Sequence, residues 1–265
     1  MPLSTEAVLD LLTSVAAEVI TPRFRALSAA QIDEKRPGDL VTVADHEAEE
    51  LITAVLQDAY PDAVVLGEEA HSSRPALMEE FRAAAHGFTV DPVDGTKNFV
   101  HGSPDHAVMV SEVLDGEAVR GWIWQPEHEI AWVAEAGAGV RRNGAPVRRT
   151  PAGEEPVGAT SIWSRRGRQP EGLPALRGSW ICCGVDYPKL IEGEADYLLY
   201  GHTNPWDHLP GTLMVREAGG AASHRDGTPY DARSTGAGLV VAADPRTLER
   251  ARHACEGLWP DRRKG

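Results

Sequence analysis

The chain has 265 residues, 42% of them hydrophobic, and a net charge of −14, enough for one large or two modest domains with a buried core. The acidity argues against a nucleic-acid polymer as partner, because phosphate backbones need a basic face. Cys182, Cys183 and Cys255 give neither a disulfide framework nor a metal-ligand spacing, no apolar run reaches membrane-spanning length, and no basic start precedes an apolar N-terminal core, so a cytoplasmic protein without membrane contact is expected.

Val8, Leu11, Leu12, Val15 and Val19 recur at helical spacing and predict an amphipathic helix over residues 4–20. Ala48, Leu51, Ile52, Val55 and Leu56 predict a second, beginning near Asp45 and ending before Pro61. Val64 to Leu66 and Gly87 to Val90 read as short buried strands. Residues 107–114 and 118–124 form a predicted hairpin around Asp115-Gly116, followed by a strand at 130–134 and a turn at Asn143-Gly144. Residues 150–178, rich in Pro, Gly and Arg, read as a loose passage. Later strands are expected at 195–200 and 239–243. Leu213 to Ala218 belongs to a helix stopped by Gly219-Gly220, Leu248 to Leu258 is a closing helix, and residues 261–265 are a frayed tail.

Chemistry concentrates at element ends. Asp91-Pro92-Val93-Asp94-Gly95-Thr96-Lys97-Asn98-Phe99 starts at a strand end, with Asp94 on the turn that follows. Carboxylates this close repel unless a cation lies between them, and oxygen donors suit Mg²⁺ or Mn²⁺. The N–H groups of Gly95 and Thr96 can face an anion. Gly67-Glu68-Glu69 ends another strand, and Pro205-Trp206-Asp207-His208-Leu209-Pro210-Gly211 opens a helix. Each acid alone has an ordinary use: Asp45 and Asp207 as helix N-caps, Glu68 and Glu69 as solvated charges.

These motifs, with Asp39-Leu40-Val41-Thr42-Val43-Ala44-Asp45, come in an order that resembles the inositol monophosphatase family of Mg²⁺-dependent, Li⁺-sensitive phosphatases. The resemblance implies an α+β or α/β fold, a layered α-β-α-β-α sandwich with the site between two halves. Residues 1–145 would carry most ligands, and 146–265 would carry Asp207 and the substrate-reading residues. It implies two or three Mg²⁺, with Mn²⁺ as an alternative. Glu68, Asp91 and the Val93 carbonyl would hold the first; Asp91, Asp94 and Asp207 the second; Glu68 would help hold a third. Thr96, paired with Asp45 and with Glu68 beside it, would orient a metal-activated water and accept its proton. Gly95, Thr96, Asp207 and Tyr200 would bind substrate. A homodimer is expected.

The substrate implied is a small phosphorylated metabolite, foremost inositol 1-phosphate or a similar polyol phosphate. Where inositol-specific relatives carry an acid before the Trp-Asp pair, this chain has Tyr200. Cys182-Cys183-Gly184 replaces small hydroxyl or Ala residues, and Lys35 or Arg36 fills the mobile-loop cation position. Alternatives on the same scaffold are histidinol-phosphate phosphatase, 3′(2′),5′-bisphosphate nucleotidase and fructose 1,6-bisphosphatase. For a bisphosphate, Arg165, Arg166 and Arg168 are the candidate subsite, although a solvated basic loop is the simpler reading. Lys97 reads as a surface charge and His208 as structural. A metal-binding regulatory protein is the non-enzymatic alternative.

Overall fold

Side-chain alternation along the strands sets the layers in the computed structural model, which describes residues 2–36 and 38–259. The chain runs α1 (Thr5–Val15, continued by a π-helical stretch, Ala16–Ile20), β1 (Ile32–Arg36), β2 (Asp39–Thr42), α2 (Val43–Ala59), β3 (Val64–Gly67), α3 (Glu68–Ser73), α4 (Leu77–Ala83), β4 (His86–Asp94), α5 (Thr96–Val100), β5 (Ala107–Leu114), β6 (Glu117–Gln125), β7 (Ile130–Glu135), β8 (Gly139–Arg142) and β9 (Ala145–Val147). It continues through β10 (Gly158–Thr160), β11 (Arg177–Gly178), α6 (Cys183–Glu192), β12 (Tyr197–Tyr200), α7 (Pro205–Glu217), β13 (Ala221–His224), β14 (Leu239–Ala242) and α8 (Pro245–Ala254). Strands β3 to β9 form one sheet in sequence order, parallel only at β3–β4. The second sheet has the order β11-β10-β12-β14-β13.

On β5, Val108 and Val110 pack with Val8 and Leu12 of α1 and Ile52 and Leu56 of α2. Ala107 and Met109, on the other face, pack with Tyr187 of α6 and Leu209 and Leu213 of α7. Leu198 and Tyr200 of β12 close that middle layer from the second sheet. Their neighbours Tyr197 and Leu199 turn outward to Leu248 and Ala251 of α8. The result is the α-β-α-β-α sandwich. The expected division at 145/146 falls inside β9, and the core between the sheets draws on both halves.

Several expected boundaries shift. Helix α2 starts at Val43, not near Asp45, because Thr42 is its N-cap: the Thr42 hydroxyl accepts from Ala44 N–H, and Asp45 accepts from the Thr42 backbone N–H at 2.8 Å. The passage at 150–178 contains β10 and β11, too short to show periodicity. The expected tail at 261–265 lies outside the described residues.

Helix α7 is buried on every side from Pro205 to Val215. Its close approach depends on glycine. A Cβ on Gly121 of β6 would stand 3.1 Å from the Cα of Pro210, and one on Gly211 would stand 2.1 Å from the Tyr187 ring. Alanine gains about 1 kcal/mol of helix propensity over glycine, but here it collides with a buried ring. Gly211→Ala is expected to destabilise the protein by about 1–3 kcal/mol, read as a lower denaturant midpoint. An unchanged or higher midpoint would show that α6 and α7 are not in tight contact there.

Candidate active site

Asp91 and Asp94 are an odd number of positions apart, so a regular strand would point them to opposite faces. Instead β4 continues through Asp94 and carries a bulge. Asp91 pairs with Met109 and Asp94 with Ala107, three steps on β4 against two on β5. The extra residue brings both carboxylates to the face that meets α6 and α7. Pro92 lies within the bulge, where a missing N–H is tolerated. The expectation that Asp91 ends the strand is thereby corrected.

Other acids arrive on first turns of helices, where unpaired N–H groups favour negative charge. Glu68 opens α3, Asp207 is the third residue of α7 and Asp45 the third of α2. Asp207 does not act as the N-cap; Asn204 holds that place and donates its side-chain amide to Asp207 at 3.1 Å. Glu69 and Ala70 N–H donate to the buried carboxylate of Glu49, which caps α3 from a neighbouring helix. The β1–β2 hairpin has a bulge between Glu34 and Arg36, which directs Lys35 at this cluster. Lys35 Nζ stands 2.5 Å from Glu68 and 2.9 Å from Glu69. Between the two expected cations, Lys35 is the one at the site.

Burial and neighbouring charges perturb Asp91, Asp94, Glu68 and Asp207. Burial, joined by the charges of Glu68, Asp94 and Asp207, holds Asp91 well above the usual carboxylate range. Burial raises Asp94 to about 7, opposed by hydrogen bonds from Cys182 and Gly184. Burial raises Glu68 to about 8 against the pull of Lys35. Asp207 moves the other way: burial raises it, but His202 outweighs that and brings it below its ordinary value.

The Thr96 hydroxyl lies 3.2 Å from Asp45 and 3.0 Å from the Val93 carbonyl. Gly95 precedes it at φ 80°, and a Cβ there would stand 3.0 Å from Cys182. Cys182 Sγ and Gly184 N–H donate to one oxygen of Asp94 at 2.8 and 2.5 Å. Glu68, Asp91, Val93, Asp94, Gly95, Thr96, Asp45 and Asp207 thus converge.

Tyr200 does not join them at the surface. It is 1% exposed, and its hydroxyl donates to Asp186 at 3.2 Å. Direct reading of substrate hydroxyls does not fit that burial. His208 is buried and pushed down to about 3, with its ring nitrogens at the Tyr187 hydroxyl and the His202 carbonyl. Arg165 bonds the Leu258 carbonyl, Arg166 stacks on Trp163, and Lys97 is exposed.

Sequence reasoning missed Glu49 and His202. Glu49 follows Asp45 by one helical turn on the otherwise apolar face of α2, a signal that was there to find. His202, with 57% of its side chain exposed, stands 3.4 Å from Asp207 and carried no such signal.

The residues suit a divalent cation. Asp91 Oδ1 is buried with no hydrogen-bond partner, and Asp94 and Asp207 bring oxygen atoms within 4.8 Å of each other. Hard oxygen donors fit Mg²⁺.

The sequence matches the inositol monophosphatase family over residues 4–258. It is 30% identical over 240 residues to the inositol-1-monophosphatase of Mesorhizobium japonicum, covering 85% of this chain and 88% of that one. It is 29% identical over 218 residues to a Thermotoga maritima protein named fructose-1,6-bisphosphatase/inositol-1-monophosphatase, covering 76% and 78%. It is also 28% identical over 232 residues to the Nus factor SuhB of Vibrio cholerae, covering 83% of each. The solved structure of a T. maritima IMPase superposes with a TM-score of 0.79 at 25% identity, over 94% of this chain and 96% of that one. With motifs, layers and carboxylate cluster in agreement, the chain belongs to the inositol monophosphatase family, a family of phosphoric monoester hydrolases.

Proposed function

We propose that the protein is a Mg²⁺-dependent phosphomonoesterase acting on inositol 1-phosphate or a similar polyol phosphate, as a cytoplasmic homodimer. The observation that carries the chemistry is the convergence of Glu68, Asp91, Asp94 and Asp207 around the buried, unpartnered Asp91 Oδ1. With the Val93 carbonyl, these residues would hold two or three ions. When bound, Mg²⁺ supplies Lewis-acid chemistry, a more acidic water and offset charge at the attacked and leaving oxygens.

This chain's residues do the positioning. The Gly95 and Thr96 N–H groups would hold phosphate oxygens in a fixed cradle. The Thr96 hydroxyl can donate to Asp45 while its lone pair takes a hydrogen bond from the attacking water. Burial raises Asp45 to about 6, tempered by hydrogen bonds from Thr42, so it is a suitable base near neutral pH. Glu68 lies beside this pair. Of the candidate bisphosphate subsite, Arg165 is engaged with the Leu258 carbonyl and Arg166 with the Trp163 ring while Arg168 is exposed, which favours a monophosphate; the name of the T. maritima relative keeps fructose 1,6-bisphosphate as the alternative.

Phosphate release should be measured with inositol 1-phosphate, histidinol phosphate, fructose 1,6-bisphosphate and adenosine 3′,5′-bisphosphate. Inositol 1-phosphate is expected to lead by kcat/KM, with EDTA abolishing turnover; no turnover with Mg²⁺ or Mn²⁺ would sink the phosphatase reading. Asp94→Asn should lower kcat/KM by about a thousandfold, on the order of 4 kcal/mol of transition-state stabilisation, with the circular dichroism spectrum unchanged. Near-normal turnover would remove Asp94 from the ligand set.

The raised acids also fix a pH response of the metal-free protein. Asp45, Asp94 and Glu68 titrate near 6, 7 and 8 when folded, against ordinary values of 3.8, 3.8 and 4.5. The folded state therefore holds protons more tightly than the unfolded chain. That stability is present at low pH and is lost as pH rises through the folded values. The Tm of metal-free protein should fall from about pH 5.5 to about pH 8.5, and Mg²⁺ should restore it most at the upper end. A flat profile, or no Mg²⁺ shift at high pH, would contradict the proposed cluster. Light scattering tests the homodimer, and a monomer mass would reject it.

A further inference from the structure

A cleft of about 220 Å³ lies between the first sheet and α6, and its lining includes none of the clustered carboxylates. Trp132 of β7 pairs directly with Arg142 of β8, so their side chains stand side by side on the cleft floor. Val185, Pro188, Lys189 and Glu192 recur at helical spacing and form the α6 wall. Two donors here have no acceptor among the described residues. Trp132 is 1% exposed, and its indole Nε1–H is buried without a partner. Arg142 Nε–H is buried as well; Glu192 Oε1 stands 3.2 Å away, at an angle that makes no hydrogen bond. Buried donors are nearly always paired, so two neighbouring orphans point to an acceptor from outside the chain.

We infer that this cleft binds a small monocarboxylate with an apolar body. Its two oxygens accept from Trp132 Nε1–H and Arg142 Nε–H, and its body lies against Ile130, Trp180 and Pro188. One water takes about 30 Å³, so the cleft has room far beyond the one or two waters that two donors need. Drug-sized ligands occupy about 300–1,000 Å³, so the body here is limited to a single ring or a short branched chain. The lining sets Arg142 and Lys189 against Asp105 and Glu192, and Asp105 is already held by His128 at 2.9 Å. One carboxylate charge is met by the charge-assisted bond to Arg142; a phosphate would bring a second with no further free donor to meet it. The cleft also backs onto the candidate active site. Gln125, in its lining, gives its amide to the Gly184 carbonyl at 2.7 Å, and the Gly184 N–H goes to Asp94. No lining residue is a proposed metal ligand, so the cleft stands or falls apart from the phosphatase reading.

The test uses the ¹⁵N-labelled full chain with Mg²⁺ present and benzoate as the probe. Each of the seven tryptophans gives one indole N–H signal, and that of Trp132 is assigned by sequential NMR. Benzoate should shift the Trp132 signal saturably, with a Kd of about 1 mM or tighter. Benzamide, which keeps the ring and one acceptor oxygen, should bind at least about tenfold more weakly, and benzylamine should leave the signal unmoved. Arg142→Gln, at a position with 42% of its side chain exposed, should weaken benzoate at least about tenfold, the loss expected for a charge-assisted hydrogen bond. A Trp132 signal that does not respond to benzoate overturns the inference. Benzamide or benzylamine binding as tightly as benzoate does the same, as does an Arg142→Gln affinity equal to that of the wild type. The three probes are compared on the wild-type chain, so the outcome does not depend on the folding of a variant.

Discussion

Mutual repulsion among buried carboxylates is the constraint around which this structure is arranged. Glu68, Glu69, Asp91, Asp94 and Asp207 meet in one crevice with a single lysine, Lys35, against them. Ionised groups this close in a poorly solvated place cost several kcal/mol each unless something offsets the charge. The fold offsets part of it by delivering Glu68, Asp207 and Asp45 on first helical turns, and by turning the Gly184 N–H onto Asp94. It leaves the rest unmet, and this adds to burial in holding Asp91 well above its ordinary range. Under the proposed function a divalent cation would relieve residual repulsion of this kind, so the strain of the metal-free site and the affinity proposed for metal would have one source.

The geometry that concentrates the charge was partly legible in the sequence. Asp91-Pro92-Val93-Asp94 announced two close acids. The parity change that puts both acids on one face comes from the partner strand, and a single stretch of sequence does not carry it. Long periodic helices were readable because one face of each meets a core, and the strands at 107–114 and 130–134 because both faces do, leaving apolar runs. The start of α2 was placed two residues late because Thr42, not Asp45, is its N-cap.

Helix α6 shows why the rest was not legible. Its sequence, Cys183-Gly184-Val185-Asp186-Tyr187-Pro188, has a proline where a helix needs an N–H. Pro188 leaves the Gly184 carbonyl without its helical donor, and the side-chain amide of Gln125 supplies one at 2.7 Å. The compensation comes from β6 in the other half of the chain. The same Gly184 gives its N–H to Asp94, so a break in local helix rules is tied to the placement of a candidate ligand.

The crevice wall near Tyr200 follows similar logic. Tyr200 gives its hydroxyl to one oxygen of Asp186, and the other oxygen takes the Trp180 N–H at 2.7 Å. Asp186 thereby fixes the bend in which Ile181 adopts φ 61°, a costly conformation for a β-branched residue. That bend presents Cys182 to Gly95, in the proposed phosphate cradle. Tyr200 is thereby tied to that bend by hydrogen bonds through Asp186. Under the proposed function, selection among phosphate esters then falls on the shape of the Ile181–Cys182 bend and on exposed His202. That is a different basis from a carboxylate reaching for sugar hydroxyls, and it is a property of this chain's own residues.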